Sequence, residues 1–171
     1  MLTDITFMCD PNVGWDSIRV LSGSNPLEAR HIHFSLTTFK DNRGDGGIDE
    51  GGEITAFVSY VPKEVDMSQY RDNPLDAPTK KSGIFPGSID FHVQGKPRLK
   101  IENLEPEFGS ELGFPATRVW MDGLEITEFI SKIDIDIDAI KGTIRGWFKY
   151  VDKEQTRKSV GIPVQQTVYL F

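Results

Sequence analysis

The chain has only one cysteine, Cys9, in 171 residues. A single cysteine excludes an intrachain disulfide framework and a cysteine-ligated zinc site. Long apolar runs are also missing, since no stretch approaches the roughly 18 residues that a membrane-spanning helix requires. Basic residues are outnumbered, with 19 Lys and Arg against 26 Asp and Glu and a formal net charge of −7. This balance argues against broad binding to nucleic acid phosphates or to anionic lipid, so we expect neither nucleic acid nor membrane as a partner.

Alanine is scarce as well, with 5 Ala against 16 Ile, 11 Val and 11 Thr. β-branched side chains lose rotamer freedom in helices and pack well on a pleated surface, so this composition favours strands. The length suits one domain. We therefore predict that residues 1–171 form a single all-β domain, an antiparallel β-sandwich or jelly-roll-like fold with long loops and little or no helix.

Short runs in which apolar and polar residues alternate predict half-buried strands. Turn residues separate them, and Asp122-Gly123 suits a type I′ hairpin because both central residues of that turn need positive φ. The candidate strands are 2–8, 17–21, 31–39, 53–61, 89–93, 98–104, 117–121, 124–127, 132–138, 143–151 and 160–170.

An acidic, glycine-rich loop at 40–52 interrupts the strand pattern. Asp41, Asp45 and Asp49 fall where an EF-hand calcium loop would place oxygen ligands. Arg43 and Gly52 occupy two positions where that template needs a ligand, and strands rather than helices flank the loop. Asp and Gly are also common in long hairpin loops, so calcium binding here stays open.

A second irregular stretch, 62–88, is polar and contains Pro74, Pro78 and Pro86. Proline fixes φ and cannot donate to a strand ladder, so we predict an extended arm that does not become a central strand. Such an arm is stable only when its apolar residues are buried on something else, and we expect that to be a neighbouring subunit. The alternative is an ordinary surface loop. The predicted interaction residues are Met67, Tyr70, Arg71, Leu75, Lys80, Lys81, Ile84 and Phe85.

The chain has three histidines, His31, His33 and His92. His31 and His33 lie two residues apart on a candidate strand and therefore share one face of a sheet. With His92 from another strand they could form a metal site. The His-x-His pattern resembles the cupin family, although no Glu follows His33 at the cupin spacing. A cupin-like metal-binding protein is thus one alternative, and ordinary strand histidines are the other.

Asp134, Asp136 and Asp138 alternate with isoleucines on one candidate strand. The next strand carries Arg145 and Lys149 with the same parity, so a hairpin would set the carboxylates against these cations on the solvent face. We interpret the three carboxylates as a structural ladder. No Gly-x-Ser-x-Gly elbow or phosphate-binding glycine loop is present, and we expect neither enzymatic activity nor a cofactor.

The segment 117–139, TRVWMDGLEITEFISKIDIDIDA, resembles a pattern in small β-domains of tailed-bacteriophage virion proteins. There a V-x-V-D-G-x-E/D-I-T hairpin leads into an alternating V-x-I-D-x-D-A strand. The matching residues are Val119, Asp122, Gly123, Ile126, Thr127, Ile133, Ile135, Asp136, Asp138 and Ala139.

The resemblance implies a phage structural protein, foremost a capsid decoration or cement protein that binds and stabilises the assembled shell. Its location would be the virion, and the host cytoplasm during assembly. The implied partners are further copies of itself, with a trimer as one option, and virion proteins such as a major capsid protein. Two alternatives stay open: a neck, tail or host-attachment component, and an intracellular phage accessory protein that binds a host partner.

Overall fold

The computed structural model describes residues 2–38, 52–104, 117–160 and 164–171. Strands dominate these residues, and the helical elements are one short α-helix and several 3-10 turns. The α-helix, α1, comprises Lys153–Lys158, and 3-10 turns lie at Trp15–Ser17, Met67–Tyr70 and Pro74–Asp76. The strands are β1 (Leu2–Cys9), β2 (Arg19–Ser22), β3 (Asn25–Pro26), β4 (Glu28–Thr38), β5 (Gly52–Val61), β6 (Lys80–Val93), β7 (Leu99–Leu104), β8 (Arg118–Met121), β9 (Leu124–Glu125), β10 (Ile130–Asp138), β11 (Thr143–Val151) and β12 (Gln165–Tyr169).

The strands form two sheets that share β6. Sheet I has the order β12-β11-β10-β4-β5-β6, and sheet II has the order β3-β2-β1-β6-β7-β8-β9. Residues 80–83 of β6 pair with β5 in sheet I, whereas residues 87–91 pair with β7 in sheet II. The all-β, sandwich-like prediction is confirmed. None of the helices in the described ranges is long and apolar enough to cross a membrane.

One hydrophobic core contains residues from both sheets. The period-two alternation turns every second residue inward, so Ile32, Phe34 and Leu36 of β4 are buried. Phe7 of sheet II makes an edge-on contact with Phe171, which follows β12, at 6.0 Å between ring centroids. Each fully buried side chain of this size stabilises the fold by roughly 1.5–3 kcal/mol.

The hairpin prediction at 122–123 is confirmed. Asp122 and Gly123 have φ of 50° and 82° and join β8 to β9, as a type I′ turn requires. The antiparallel prediction needs one correction, because β1 and β6 pair in parallel. A parallel pair needs a long crossover connection, and the chain between β1 and β6 passes through sheet I before it returns.

The predicted arm at 62–88 also needs correction, because residues 80–88 belong to β6. Ile84 is completely buried within the chain's own core. Pro86 lies between the residues that pair with β5 and those that pair with β7, a place where a strand tolerates a missing donor. Only 62–79 stays outside the sheets. The acidic loop at 40–52 lies outside the described residues except Gly52, which begins β5.

Candidate functional site

The outer face of sheet I brings together three side chains with metal-ligating atoms. Because Ile32 and Phe34 point inward from β4, His31 and His33 point outward. The neighbouring strand β10 places Asp136 directly opposite His33 in the antiparallel register. His31, His33 and Asp136 each offer one ligating atom, and these atoms all lie within 4.8 Å of one another.

One carboxylate oxygen serves both imidazole rings. Oδ1 of Asp136 lies 2.7 Å from Nε2 of His31 and 3.1 Å from Nδ1 of His33. The side chains of His31, His33 and Asp136 are 26%, 25% and 18% exposed, so solvent reaches the group without surrounding it. The cluster is therefore an open, half-buried polar site on the outer face of sheet I.

Asp136 is held in its anionic form. Partial burial raises the pKa of its carboxyl group, but hydrogen bonds and charge interactions with His31 and His33 outweigh burial, so the pKa is lowered from its usual value. A carboxylate is therefore present at neutral pH. Metal ligation requires that state.

An aromatic ring on the adjacent strand β5 contacts both histidines. Phe57 is the cross-strand partner of His33, and its ring centroid lies 5.1 Å from that of His31 and 5.2 Å from that of His33. Nζ of Lys81, on β6, lies 3.9 Å from the Phe57 ring centroid. The ring limits the rotation of the imidazoles, and the cation places positive charge beside it.

The other two carboxylates of β10 have partners of their own. Oδ1 of Asp134 accepts a hydrogen bond from Arg145 at 3.3 Å. Asp138 is buried and accepts the backbone N–H groups of Ile140 and Lys141 in the turn after β10. Of the three aspartates, Asp136 is thus the one that pairs with the histidines.

The predicted ladder is correct in one pair and wrong in another. Arg145 stands opposite Asp136 in the register, as expected. Lys149 stands opposite Lys132 rather than an aspartate. The turn after Asp138 sets this register, in which the nearest aspartate, Asp134, stands opposite Trp147, two residues before Lys149. Nζ of Lys149 lies 5.5 Å and Nζ of Lys132 lies 5.6 Å from the ring centroid of Trp147.

His92 does not join His31 and His33. It lies on β6 nine residues beyond Gly83, the cross-strand partner of Phe57, where β6 belongs to sheet II. Its Nε2 is 3.3 Å from Oδ1 of Asp90, which also binds Arg98. Asp136 takes the place of His92 as the third potential metal ligand beside His31 and His33, because β10 is the neighbour of β4 in the sheet. No local sequence pattern reveals this strand pairing, so the sequence does not predict the contact.

The predicted interaction residues divide between the core and the surface. Ile84 is removed from that set, because burial in the chain's own core leaves it nothing to offer a partner. Leu75 is 44% exposed, Met67 and Tyr70 are half-buried, and Arg71, Lys80 and Lys81 are exposed. Phe85 lies in β6, and its side chain is outside the described set.

A groove of about 1000 Å³ adjoins the segment 62–79. It lies between the β2–β3 hairpin and residues 60–67, and its lining includes Met67, Lys80 and Trp15, which is 38% exposed. Its lining contains both apolar and charged side chains. The apolar lining residues include Leu2, Met8, Ile18, Val20, Leu21, Leu27, Tyr60, Val61 and Val65.

Comparison of the chain with protein-family models, with curated proteins and with solved structures found no match.

Proposed function

We propose that this protein is a non-catalytic structural component of a bacteriophage virion, foremost a decoration or cement protein of the capsid. It would act by binding copies of itself and neighbouring virion proteins. Support for the phage assignment comes from the segment 117–139, whose resemblance is architectural. That segment contributes the β8–β9 hairpin and β10 to the two sheets, which suits a scaffolding role.

The observation that carries the assembly proposal is the open edge of sheet I. In the described residues β12 pairs with β11 on one side and ends the sheet on the other. Its sequence, QQTVY, has neither a charge nor a proline. Edge strands usually carry charged residues or proline, which prevent strand pairing between molecules. An edge strand without either therefore favours association.

The hydrogen-bond register identifies the groups that such an association would use. The N–H of Leu170 donates to Gly146, and Phe148 and Lys149 stand opposite Val168 and Thr167. Antiparallel strands alternate bonded and non-bonded pairs, so the N–H and C=O of Thr167 point away from β11. Two β12 edges related by a two-fold axis would pair through these groups, which favours a dimer over a trimer as the first assembly unit.

The segment 62–79 and its groove supply a second surface for a different virion protein. The exposed Leu75 and the half-buried Met67 and Tyr70 stand on a part of the chain whose secondary structure is limited to 3-10 turns. A partner that covers these apolar side chains would remove them from water, which favours binding at this surface.

The edge proposal is tested by light scattering on the purified full chain and on Thr167→Pro. Proline removes the outward donor of Thr167 without removing a hydrogen bond to β11, so the fold should persist and the dimer should be lost. Thr167→Val keeps the donor and is the matched control, which should stay dimeric. A monomeric wild-type chain, or a Thr167→Pro variant that is folded and still dimeric, would overturn the edge proposal.

A further inference from the structure

The outer face of sheet I carries a donor set that nothing in the proposed structural role requires. His31 and His33 contribute imidazole nitrogens and Asp136 contributes the carboxylate oxygen that both nitrogens contact. Two imidazoles and a carboxylate suit borderline divalent metals such as Zn²⁺, Co²⁺ and Ni²⁺ better than Ca²⁺ or Mg²⁺, which prefer oxygen ligands. We propose that His31, His33 and Asp136 bind one divalent transition-metal ion.

The distances from Asp136 to the two imidazoles are close to those between donors that share one ion. Two donors that each lie ~2.1 Å from one ion at an angle of ~90–110° are about 3.0–3.5 Å from each other. Oδ1 of Asp136 lies 2.7 Å from the His31 nitrogen and 3.1 Å from the His33 nitrogen, close to that range. The ligating nitrogens of His31 and His33 lie within 4.8 Å of each other, so on binding the imidazoles would rotate to bring both nitrogens within ~2.1 Å of the ion.

The surroundings hold the ligands in place and leave the carboxylate to the site. Phe57 packs against both imidazoles and restricts their rotation. Arg145 is bonded to Asp134 and therefore does not occupy Asp136. Because the donors lie on neighbouring β-strands and not on loops, the core fixes their spacing.

Three protein ligands leave at least one coordination position for water. The side chains of His31 and His33 are each about a quarter exposed, so an ion has an open path from solvent. This arrangement corresponds to an open site, in contrast to the closed four-ligand sites that serve structure alone. The site is independent of the β12 edge and of the segment 62–79, so it stands or falls separately from the proposed function.

The test is calorimetric titration of ZnCl₂ into untagged, metal-free protein, with MgCl₂ as the comparison salt. We expect one Zn²⁺ per chain, no comparable binding of Mg²⁺, and a higher melting temperature with Zn²⁺ because the ion binds the folded state. Asp136→Asn and His33→Gln should each weaken Zn²⁺ binding by about 10-fold or more and abolish the thermal shift.

The chain supplies two matched controls. Asp72→Asn removes an exposed carboxylate from the segment 62–79, and His92→Gln removes the histidine of sheet II; each should change the affinity by less than about 3-fold. Circular dichroism shows whether each variant is folded. Absence of stoichiometric Zn²⁺ binding, or an equal loss of affinity in the site variants and the controls, would overturn the proposal.

Discussion

Oδ1 of Asp136 lies 2.7 Å from Nε2 of His31, although 105 residues separate them in the sequence. The contact exists because β10 and β4 are antiparallel neighbours in sheet I. His33 is the cross-strand partner of Asp136, and His31 lies two residues before it on the same face. A polar cluster on the outside of a sandwich thus depends on the same strand order that forms the core.

The first prediction separates the chain's own core from its surface. Ile84 is fully buried whereas Leu75 is 44% exposed, although the sequence pattern places both in one interaction arm. Ile84→Ala should lower the free energy of unfolding by about 2–5 kcal/mol because it leaves a cavity. Leu75→Ala should cost about 1 kcal/mol or less. Urea unfolding measures both, and equal small losses would contradict the burial of Ile84.

Local patterns predict most of the strands but not the strand order. The alternation of Ile133, Ile135 and Ile137 marks β10 because side-chain orientation in a strand has a period of two residues. The beginning of β6 shows no such alternation, since Lys80 and Lys81 precede a proline-containing stretch. The His31–Asp136 contact depends on long-range pairing, to which neither strand's own sequence points. The sequence therefore predicts the two histidines of the cluster but not its carboxylate, Asp136.

The second prediction concerns the close approach of Gly146 to Phe171. A Cβ at Gly146 would lie 2.7 Å from one ring carbon of Phe171 and 2.9 Å from another. Gly146→Ala should therefore push the ring away from Phe7 and cost about 1–3 kcal/mol. In a Phe171→Ala background the same substitution should cost much less, because the clash is gone. Equal costs in the two backgrounds, measured by thermal unfolding, would argue against this contact.

The third prediction is a pH dependence from Asp90. Partial burial raises the pKa of its carboxyl group, but the Arg98 hydrogen bond and the Arg98 and His92 charges outweigh burial, so the pKa lies below the usual 3.8. A carboxyl group with a lowered folded-state pKa stabilises the fold above the unfolded pKa, and that contribution is lost as pH falls through the folded value.

Asp90→Asn should consequently lower the free energy of unfolding at pH 7 by about 1 kcal/mol, since Arg98 is half exposed and solvent screens the pair. The difference from wild type should persist down to about pH 4 and shrink below it. Asp72→Asn, at an exposed position in the segment 62–79, is the control and should change stability by less than about 0.5 kcal/mol at either pH. A difference that grows on acidification would have the wrong sign for this account.

The fourth prediction concerns limited proteolysis of the isolated protein. Arg71 lies between two 3-10 turns, whereas Lys81 is in β6 and pairs with β5. Trypsin needs an extended, accessible backbone, so we expect cleavage after Arg71 well before cleavage after Lys81. Fragment masses over time distinguish the two sites, and early cleavage after Lys81 would show that this end of β6 is not held in the sheet.

The virion assignment is tested most directly by the composition of intact particles. Particles purified on a density gradient from the source of this chain would be analysed by quantitative mass spectrometry alongside the soluble fraction. The account predicts that the chain co-purifies with the particles in a fixed ratio to the major capsid protein. Recovery of the chain in the soluble fraction alone, with none on intact particles, would contradict it.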